Sequence, residues 1–189
     1  MFEKFKLWLT NTAGTTSRPV LDFARRVIMI DGHQYVVRMA TDQDITTMVQ
    51  IEEQIYGKAP WSKAAFRTEL QRPCDRLYLV IMDDNQVVGF IGNAVDWHHC
   101  DLHITNVGVL PSYQCRGIGT YLISTSKNYA RHLKLRSMSL EVRVHNMSAR
   151  KLYEQLGFHN QHIKRHYYLD NHEDAVDMQA DLLTRGGVK

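Results

Sequence analysis

The segment Gln114-Cys115-Arg116-Gly117-Ile118-Gly119 constrains the fold most, because it joins a strand-like run at 104–110 to a helix-like run at 120–133. Glycine lets the backbone approach a ligand without interference from a Cβ atom. The first N–H groups of a helix lack intrahelical partners and carry the positive end of the helix dipole, which suits a phosphate. This glycine loop (114–119) is therefore a candidate pyrophosphate cradle, and the alternative is ordinary punctuation at a helix start.

Apolar periodicity and turn signals predict alternating helices and strands on both sides of the glycine loop. Thr41 or Asp42 can cap one helix, and Ser62 can cap a second helix that runs to Leu70. A later helix at 148–156 is followed by glycine, which is typical of a helix end. The predicted strands are 77–82, 87–95, 102–109, 137–142, 162–169 and 175–182.

Residues 1–34 form a distinct N-terminal part of the sequence. Phe2, Phe5 and Leu9 would share one helical face, while the charges of this segment exclude an export signal. The polar stretch at 10–19 is typical of a linker. Asp31-Gly32 is favoured in tight hairpin turns and lies between two apolar runs, so we predict an added hairpin strand.

Composition limits the class of protein. A chain of 189 residues is long enough for one domain with a sizeable core and short for two. The hydrophobic content of 44% is ordinary for a soluble protein, and no apolar run reaches membrane-spanning length. Three cysteines without a C-x-x-C pair argue against a disulfide framework and predict a cytoplasmic location. The net charge of +3 does not indicate direct binding to nucleic acid.

Further motifs accompany the glycine loop. Gln114, Gly117 and Gly119 match the defining positions of an Arg/Gln-x-x-Gly-x-Gly/Ala motif, which is the loop motif of the GNAT superfamily of N-acetyltransferases. The chain resembles this superfamily, and within it the RimI-type branch. The resemblance runs from about Val36 to about Leu182 and rests also on the segments 51–53, 60–62, 140–143, 146, 152–158, 165–168 and 173–175.

That resemblance implies an α/β (α+β) fold in which helices flank a mixed, twisted central sheet. It predicts an N-terminal extension at 1–34, a GNAT N-acetyltransferase domain at 35–184 and a C-terminal tail at 185–189. The implied enzyme uses acetyl-CoA to acetylate a protein N-terminal α-amine, with the N-terminal alanine of ribosomal protein S18 as the expected acceptor. We expect a monomer.

The same resemblance assigns cofactor contacts to the strand before the glycine loop, to the loop itself and to Asn146, which could also cap a helix. Backbone groups of the strand would pair with the pantetheine arm, unless they serve ordinary strand pairing. The implied cofactor-binding residues are Val107, Gly108, Val109, Gln114, Cys115, Arg116, Gly117, Ile118, Gly119, Thr120 and Asn146.

Acetyl transfer to an amine needs a proton acceptor for the amine and a proton donor for the departing thiolate. The resemblance gives these catalytic roles to Glu141 and Tyr153. Strand alternation would otherwise place Glu141 on a solvated polar face, and Tyr153 could be a plain core aromatic. A carboxylate suits an α-amine, because an amine with a pKa near 8 is neutral in about one molecule in ten at pH 7.

Four residues are candidates for binding the acceptor. Trp61 lies in one of the RimI-like segments, and Arg165, Tyr167 and Tyr168 lie in another. The run 164–166 is interpreted as solvated charge, although next to Tyr167 and Tyr168 it could border the acceptor-peptide groove. Asp177 and Gln179 are polar where RimI-type strands are often apolar, which predicts a wetter edge at the end of the sheet.

The sequence also contains groups that we expect to have no chemical role. His98, His99, Cys100 and His103 match no familiar zinc spacing and fall at a predicted strand-to-strand turn, so we expect no metal site. Cys115 is interpreted as a neutral loop residue, because no resemblance supports a nucleophilic cysteine there.

Two other functions share most of these motifs. A GNAT enzyme that acts on a small amine or on lysine side chains would keep every cofactor motif and differ only around the acceptor groove. A non-catalytic module that binds acyl-CoA is disfavoured, because Glu141 and Tyr153 are both present.

Overall fold

The computed structural model describes residues 18–183, across which the chain forms eight β-strands and four α-helices. The predicted amphipathic face at 2–9, most of the predicted linker and the tail at 185–189 lie outside the described residues. In chain order the elements are β1 (Arg26–Ile30), β2 (His33–Met39), α1 (Ile45–Tyr56), α2 (Lys63–Leu70), β3 (Arg76–Asp83), β4 (Gln86–Asp96), β5 (Asp101–Val109), α3 (Ile118–His132), β6 (Ser137–Arg143), α4 (Met147–Gln155), β7 (His159–Lys164) and β8 (Ala175–Asp181).

The eight strands form one mixed sheet in the order β1-β2-β3-β4-β5-β6-β8-β7. Strands β1 to β5 are antiparallel neighbours in chain order. Helix α3 connects β5 to β6, which pairs in parallel with β5, and β8 lies between β6 and β7, antiparallel to both. The predicted mixed sheet with flanking helices is confirmed. Within residues 18–183, no helix combines the length and the apolar character needed to cross a membrane.

Local signals fix the ends of these elements. The turn of the predicted β1–β2 hairpin contains Asp31 and Gly32 with φ of 48° and 79°, the left-handed values that a tight hairpin turn needs. Ser62 Oγ accepts a hydrogen bond from Ala65 N at 3.1 Å and caps α2, as predicted. Gly157 follows α4 with φ of 83° and lets the helix end there.

Strands β5 and β6 pair over their first halves and then diverge. Their register joins Asp101 to Ser137 and ends, within the described residues, where Ile104 meets Leu140. Strand β5 stays paired with β4 up to Val109. A bulge between Ile104 and Asn106 leaves Thr105 without a partner residue on β4 and bends the strand. The edge of β5 beyond Ile104 is therefore open towards β6.

Helix α1 packs closely against the open half of β5. A Cβ atom built on Gly108 would lie 2.9 Å from Phe90 and 3.0 Å from Ile51 of α1. Phe90 in turn packs edge-on against Phe66 of α2, with ring centroids 5.7 Å apart. The fold thus needs a glycine at 108, independently of any cofactor.

The predicted seventh strand is misplaced in the sequence analysis. Strand β7 spans His159–Lys164 and not 162–169. The chain turns after Lys164, because the Asp174 carboxylate accepts hydrogen bonds from the Arg165 guanidinium and from His166 N. The two tyrosines that follow His166 therefore lie in the β7–β8 loop.

The expectation that Asp177 and Gln179 form a wet sheet edge is wrong. Both lie on β8, which is an interior strand between β6 and β7. The Asp177 carboxylate is paired across the sheet with Lys164 at 3.2 Å and with His162 at 3.3 Å. The charge of Asp177 is therefore used in ion pairs within the sheet.

Replacing Gly108 with alanine should destabilise the fold by about 1–3 kcal/mol, because the new Cβ atom would overlap Phe90 and Ile51 in a packed core. Urea unfolding measures this change in free energy. Gly119→Ala is the matched control, since its Cβ atom would meet Leu152 at an ordinary 3.6 Å. Equal stability of Gly108→Ala and the unsubstituted protein would contradict the close packing of α1 on β5.

Candidate active site

A cavity of about 1040 Å³ lies where β5 and β6 diverge. Its walls include the sheet, helix α1, the α1–α2 loop, helix α4 and the β7–β8 loop. The predicted site residues that line it are Trp61, Val107, Glu141, Asn146, Tyr153, Arg165, Tyr167 and Tyr168. Gly108, Val109 and the glycine loop with Thr120 are not part of this lining.

Glu141 lies on β6 inside the cavity, with its side chain 12% exposed. Its Oε1 accepts from Lys164 Nζ at 2.5 Å, and its Oε2 lies 3.1 Å from His103 Nε2. Burial alone would raise the pKa of Glu141, but the hydrogen bonds and charges of His103 and Lys164 outweigh it and hold the pKa at about 2. Glu141 is thus an ionised, partnered carboxylate and does not belong to a solvated face.

His103 does not lie at the strand-to-strand turn where it was predicted together with His98, His99 and Cys100. It lies within β5 and is 8% exposed, whereas His98 and His99 lie at the β4–β5 turn, where their N–H groups donate to Asp96. The alternation of Asp101 and His103 along β5 was the available signal. Across residues 18–183 no group of His, Cys, Asp and Glu side chains forms a metal-binding cluster.

A hydrogen-bonded chain continues from His103 away from Glu141. His103 Nδ1 lies 3.0 Å from Ser139 Oγ, and Ser139 Oγ donates to Asp101 Oδ2 at 2.5 Å. Ser137 Oγ donates to the other oxygen of Asp101 at 2.6 Å. These contacts follow from the parallel register, which pairs Asp101 with Ser137 and His103 with Ser139.

The interpretation of 164–166 as a solvated charge run is wrong for its first residue. The Lys164 side chain is 32% exposed and bridges the carboxylates of Glu141 and Asp177. Arg165 is 75% exposed and pairs with Asp174. Lys164 therefore belongs to the charge network of the cavity.

Glu52 of α1 is a second residue of the cavity that was not predicted as a site residue. It is 3% exposed and lines the cavity, and its two oxygens accept from Trp61 N at 2.9 Å and from Asn106 Nδ2 at 3.3 Å. Burial raises the pKa of Glu52 to about 7, against the effect of these two hydrogen bonds. Glu52 thus holds the α1–α2 loop, and with it Trp61, against the sheet.

Tyr153 and Asn146 lie on or next to α4. Tyr153 is 7% exposed and packs against Phe158 with ring centroids 5.9 Å apart, while it also lines the cavity. Burial raises the pKa of Tyr153, so its hydroxyl stays protonated at neutral pH. Asn146 Oδ1 accepts from Ala149 N at 3.1 Å and caps α4, and the residue still borders the cavity.

The wall formed by the β7–β8 loop is fixed by Arg143. Its guanidinium lies 4.0 Å from the centroid of the Tyr168 ring, and it pairs with Asp170 at 2.7 Å and with Glu173 at 3.0 Å. The Lys164 ammonium lies 5.8 Å from the centroid of the Tyr167 ring. Both tyrosines are therefore held by cations next to the cavity.

The glycine loop leads directly into helix α3. Gly117 precedes α3 with φ of 77°, which favours glycine, and α3 begins at Ile118. The side chain of Gln114 donates to Val109 O at 3.1 Å, and the Arg116 guanidinium lies 4.9 Å from the Tyr113 ring centroid. Cys115 is exposed. The loop side chains contact the loop's own surroundings, which leaves the first N–H groups of α3 as candidate anion donors.

Comparisons with known proteins agree with this arrangement. Residues 45–158 match the family model described as Acetyltransferase (GNAT) family. A Bacillus subtilis (strain 168) protein that is provisionally named a ribosomal protein bS18-alanine N-acetyltransferase is 34% identical over 146 residues, 77% of this chain and 95% of its own length.

Two solved structures share the fold. The ribosomal-protein-S18-alanine N-acetyltransferase from Escherichia coli has a TM-score of 0.72 and 25% identity, over 82% of this chain and 98% of that chain. A chain of the NatC complex bound to Gag peptide and CoA has a TM-score of 0.68 and 22% identity, over 79% of this chain and 99% of that chain. With the family model and the Bacillus subtilis relative, they establish that this chain belongs to the GNAT family of acetyltransferases, in its RimI-type branch.

Proposed function

We propose that this chain acetylates the N-terminal α-amine of a protein, with acetyl-CoA as cosubstrate and the N-terminal alanine of ribosomal protein bS18 as acceptor. The observation that supports this most is that Glu141 and Tyr153 line one cavity whose walls carry Trp61, Tyr167 and Tyr168. A proton acceptor and a proton donor thus border one space, enclosed by aromatic side chains. The acceptor named here is the one that the Bacillus subtilis and Escherichia coli relatives carry in their names.

The residues present fit acetyl-CoA, which supplies the acetyl group as a thioester. Among the described residues, the edge of β5 has no β6 partner beyond Ile104, so at Val107 it would be open to an extended amide-containing arm, whereas Val109 O already accepts from Gln114 Nε2. The helix start after Gly117 offers N–H groups to a pyrophosphate. Both features lie at the end of β5, so one elongated molecule could contact them in sequence.

Glu141 would act on the acceptor amine late in the reaction. Because its pKa is about 2, it is ionised throughout the working pH range and is a weak base towards a free ammonium group. The α-amine does not need that help, since about one molecule in ten is already neutral at pH 7. Glu141 would instead accept the proton, through water, once the nitrogen becomes acidic on bonding to the acetyl carbon.

Tyr153 would supply the proton for the departing sulfur. A phenol is a weaker acid than a thiol, and burial weakens it further, so Tyr153 would keep its proton until a thiolate forms nearby. Its ring is held against Phe158, which limits how far the hydroxyl can move. The two roles lie on different elements, Glu141 on β6 and Tyr153 on α4.

Glu141→Gln should lower kcat by about 10²–10⁴-fold and leave acetyl-CoA affinity nearly unchanged, because the amide keeps the shape and loses the proton acceptor. A higher pH should partly restore the rate, because solvent bases can then take up the proton that Glu141 would have accepted. Steady-state kinetics and calorimetry measure the two quantities. Kinetics equal to those of the unsubstituted enzyme across the pH range would remove Glu141 from the mechanism.

Gly119→Val should weaken acetyl-CoA binding severely, because a branched side chain would crowd the first turn of α3, where the pyrophosphate is expected. Gly119→Ala is the control, since its Cβ atom makes an ordinary contact with Leu152. Calorimetric affinity for acetyl-CoA distinguishes the two variants. Unchanged affinity in a folded Gly119→Val protein would mean that the pyrophosphate lies elsewhere.

A peptide with a free α-amine should be acetylated far faster than the same peptide with a blocked N-terminus and an internal lysine. At pH 7 the neutral fraction of an α-amine is roughly 250-fold larger than that of lysine, an advantage of about 3 kcal/mol. Mass spectrometry after incubation with enzyme and acetyl-CoA measures both products. Preferential labelling of the lysine peptide would assign the enzyme to side-chain amines instead.

A further inference from the structure

We propose that Asp101 and Ser139 are positioning residues that keep His103 doubly protonated, and that this buried cation orients Glu141 and keeps it ionised. The inference rests on the function proposed above for Glu141. It concerns a chain of four side chains, Asp101, Ser139, His103 and Glu141, that runs along the parallel β5–β6 pair.

Counting donors and acceptors along this chain determines where the hydrogens are. Ser139 Oγ donates its single hydroxyl hydrogen to Asp101 Oδ2. The Ser139 oxygen, 3.0 Å from His103 Nδ1, has no hydrogen left to donate in that direction. Nδ1 must therefore carry a hydrogen and donate it to Ser139.

The same count applies at the other ring nitrogen. Glu141 is ionised, its Oε1 is bonded to Lys164, and its Oε2 lies 3.1 Å from His103 Nε2. Because that oxygen can only accept, Nε2 also carries a hydrogen. A ring that donates from both nitrogens is an imidazolium, so His103 is a cation in the resting enzyme.

The charges around His103 agree with this state. Burial lowers the pKa of His103, but Glu141 on β6 and Asp101 on its own strand raise it more, and Lys164 on β7 lowers it. The pKa of His103 is raised overall. Asp177 on β8 is held by Lys164 and by His162.

The two cations next to Glu141 differ in how firmly they are held. Lys164 is 32% exposed and divides its ammonium between Glu141 and Asp177. The His103 side chain is 11% exposed and is fixed from behind by Ser139. His103 therefore provides the more firmly positioned positive charge next to Glu141. Asp101 sets the protonation of His103 through Ser139, two hydrogen bonds away.

Removing the Ser139 hydroxyl should make His103 lose its second hydrogen near neutral pH. In Ser139→Ala, Nδ1 loses the Ser139 hydroxyl as acceptor, and the pKa of His103 should fall by about one unit or more, a tenfold change in the protonation equilibrium. ¹⁵N NMR of the imidazole ring in the free enzyme reports both nitrogens directly. Turnover should fall at least tenfold, with acetyl-CoA affinity unchanged.

Ser137→Ala is the matched control, because Ser137 bonds to the same Asp101 and has no bond to His103. It should leave the His103 spectrum and turnover close to those of the unsubstituted enzyme. Ser139→Thr keeps the hydroxyl and should restore both. Asp101→Asn is a second route, since an amide can donate to Ser139 and free its hydroxyl hydrogen for Nδ1.

A neutral His103 in the unsubstituted enzyme at pH 7 would overturn the inference. It would also fail if Ser139→Ala and Ser137→Ala gave the same ring spectrum and the same turnover. The NMR measurement needs no acceptor, so it separates this inference from the proposed function. An imidazolium that disappears in Ser139→Ala would support the charge assignment even if no α-amine were acetylated.

Discussion

The parallel pairing of β5 with β6, and its end at Ile104 and Leu140, is the constraint on which the site depends. Over the paired half, the register sets Asp101 and His103 beside Ser137 and Ser139, so four polar side chains meet in a fixed order. Beyond that half the strands separate, and across the described residues β5 stays paired with β4 but not with β6. The partial pairing of β5 with β6 thus produces both the polar network and the open strand edge.

Buried charge at this point of the sheet is stable because each ion has a partner. Transferring an isolated carboxylate from water into a protein interior is costly, and pairing offsets that cost when the geometry is good. Glu141 has two cationic partners, and Asp101 accepts from two hydroxyl groups. The network spans four strands, so the strands cannot shift in register without leaving a charge unpaired.

The features that depend only on residues close together in the chain could be predicted from the sequence. The Asp31-Gly32 turn, the Ser62 cap and the helix end at Gly157 are local, and the structure contains them as predicted. The positions of Glu141 and Tyr153 came from a family resemblance and not from physical reasoning. Their shared cavity could be seen only after folding.

Other features depend on contacts that no local pattern encodes. His103 was grouped with the histidines of a turn, because its partners Ser139 and Glu141 lie on a strand that follows the intervening helix α3. Lys164 looked like surface charge, because its pairing with Glu141 requires β8 to lie between β6 and β7. The end of β7 was misjudged because Asp174, at the far end of the β7–β8 loop, turns the chain.

Glu52 has a consequence for proton linkage. Its pKa in the folded protein, about 7, is above the ordinary value of a free glutamate, so the folded state binds this proton more tightly than the unfolded state does. Stability from this group is complete below the unfolded pKa and declines as pH rises to about 7, by an amount on the order of 3 kcal/mol. An α-amine loses its positive charge near pH 8. The wall that holds Trp61 therefore gains a negative charge just before such an acceptor becomes neutral.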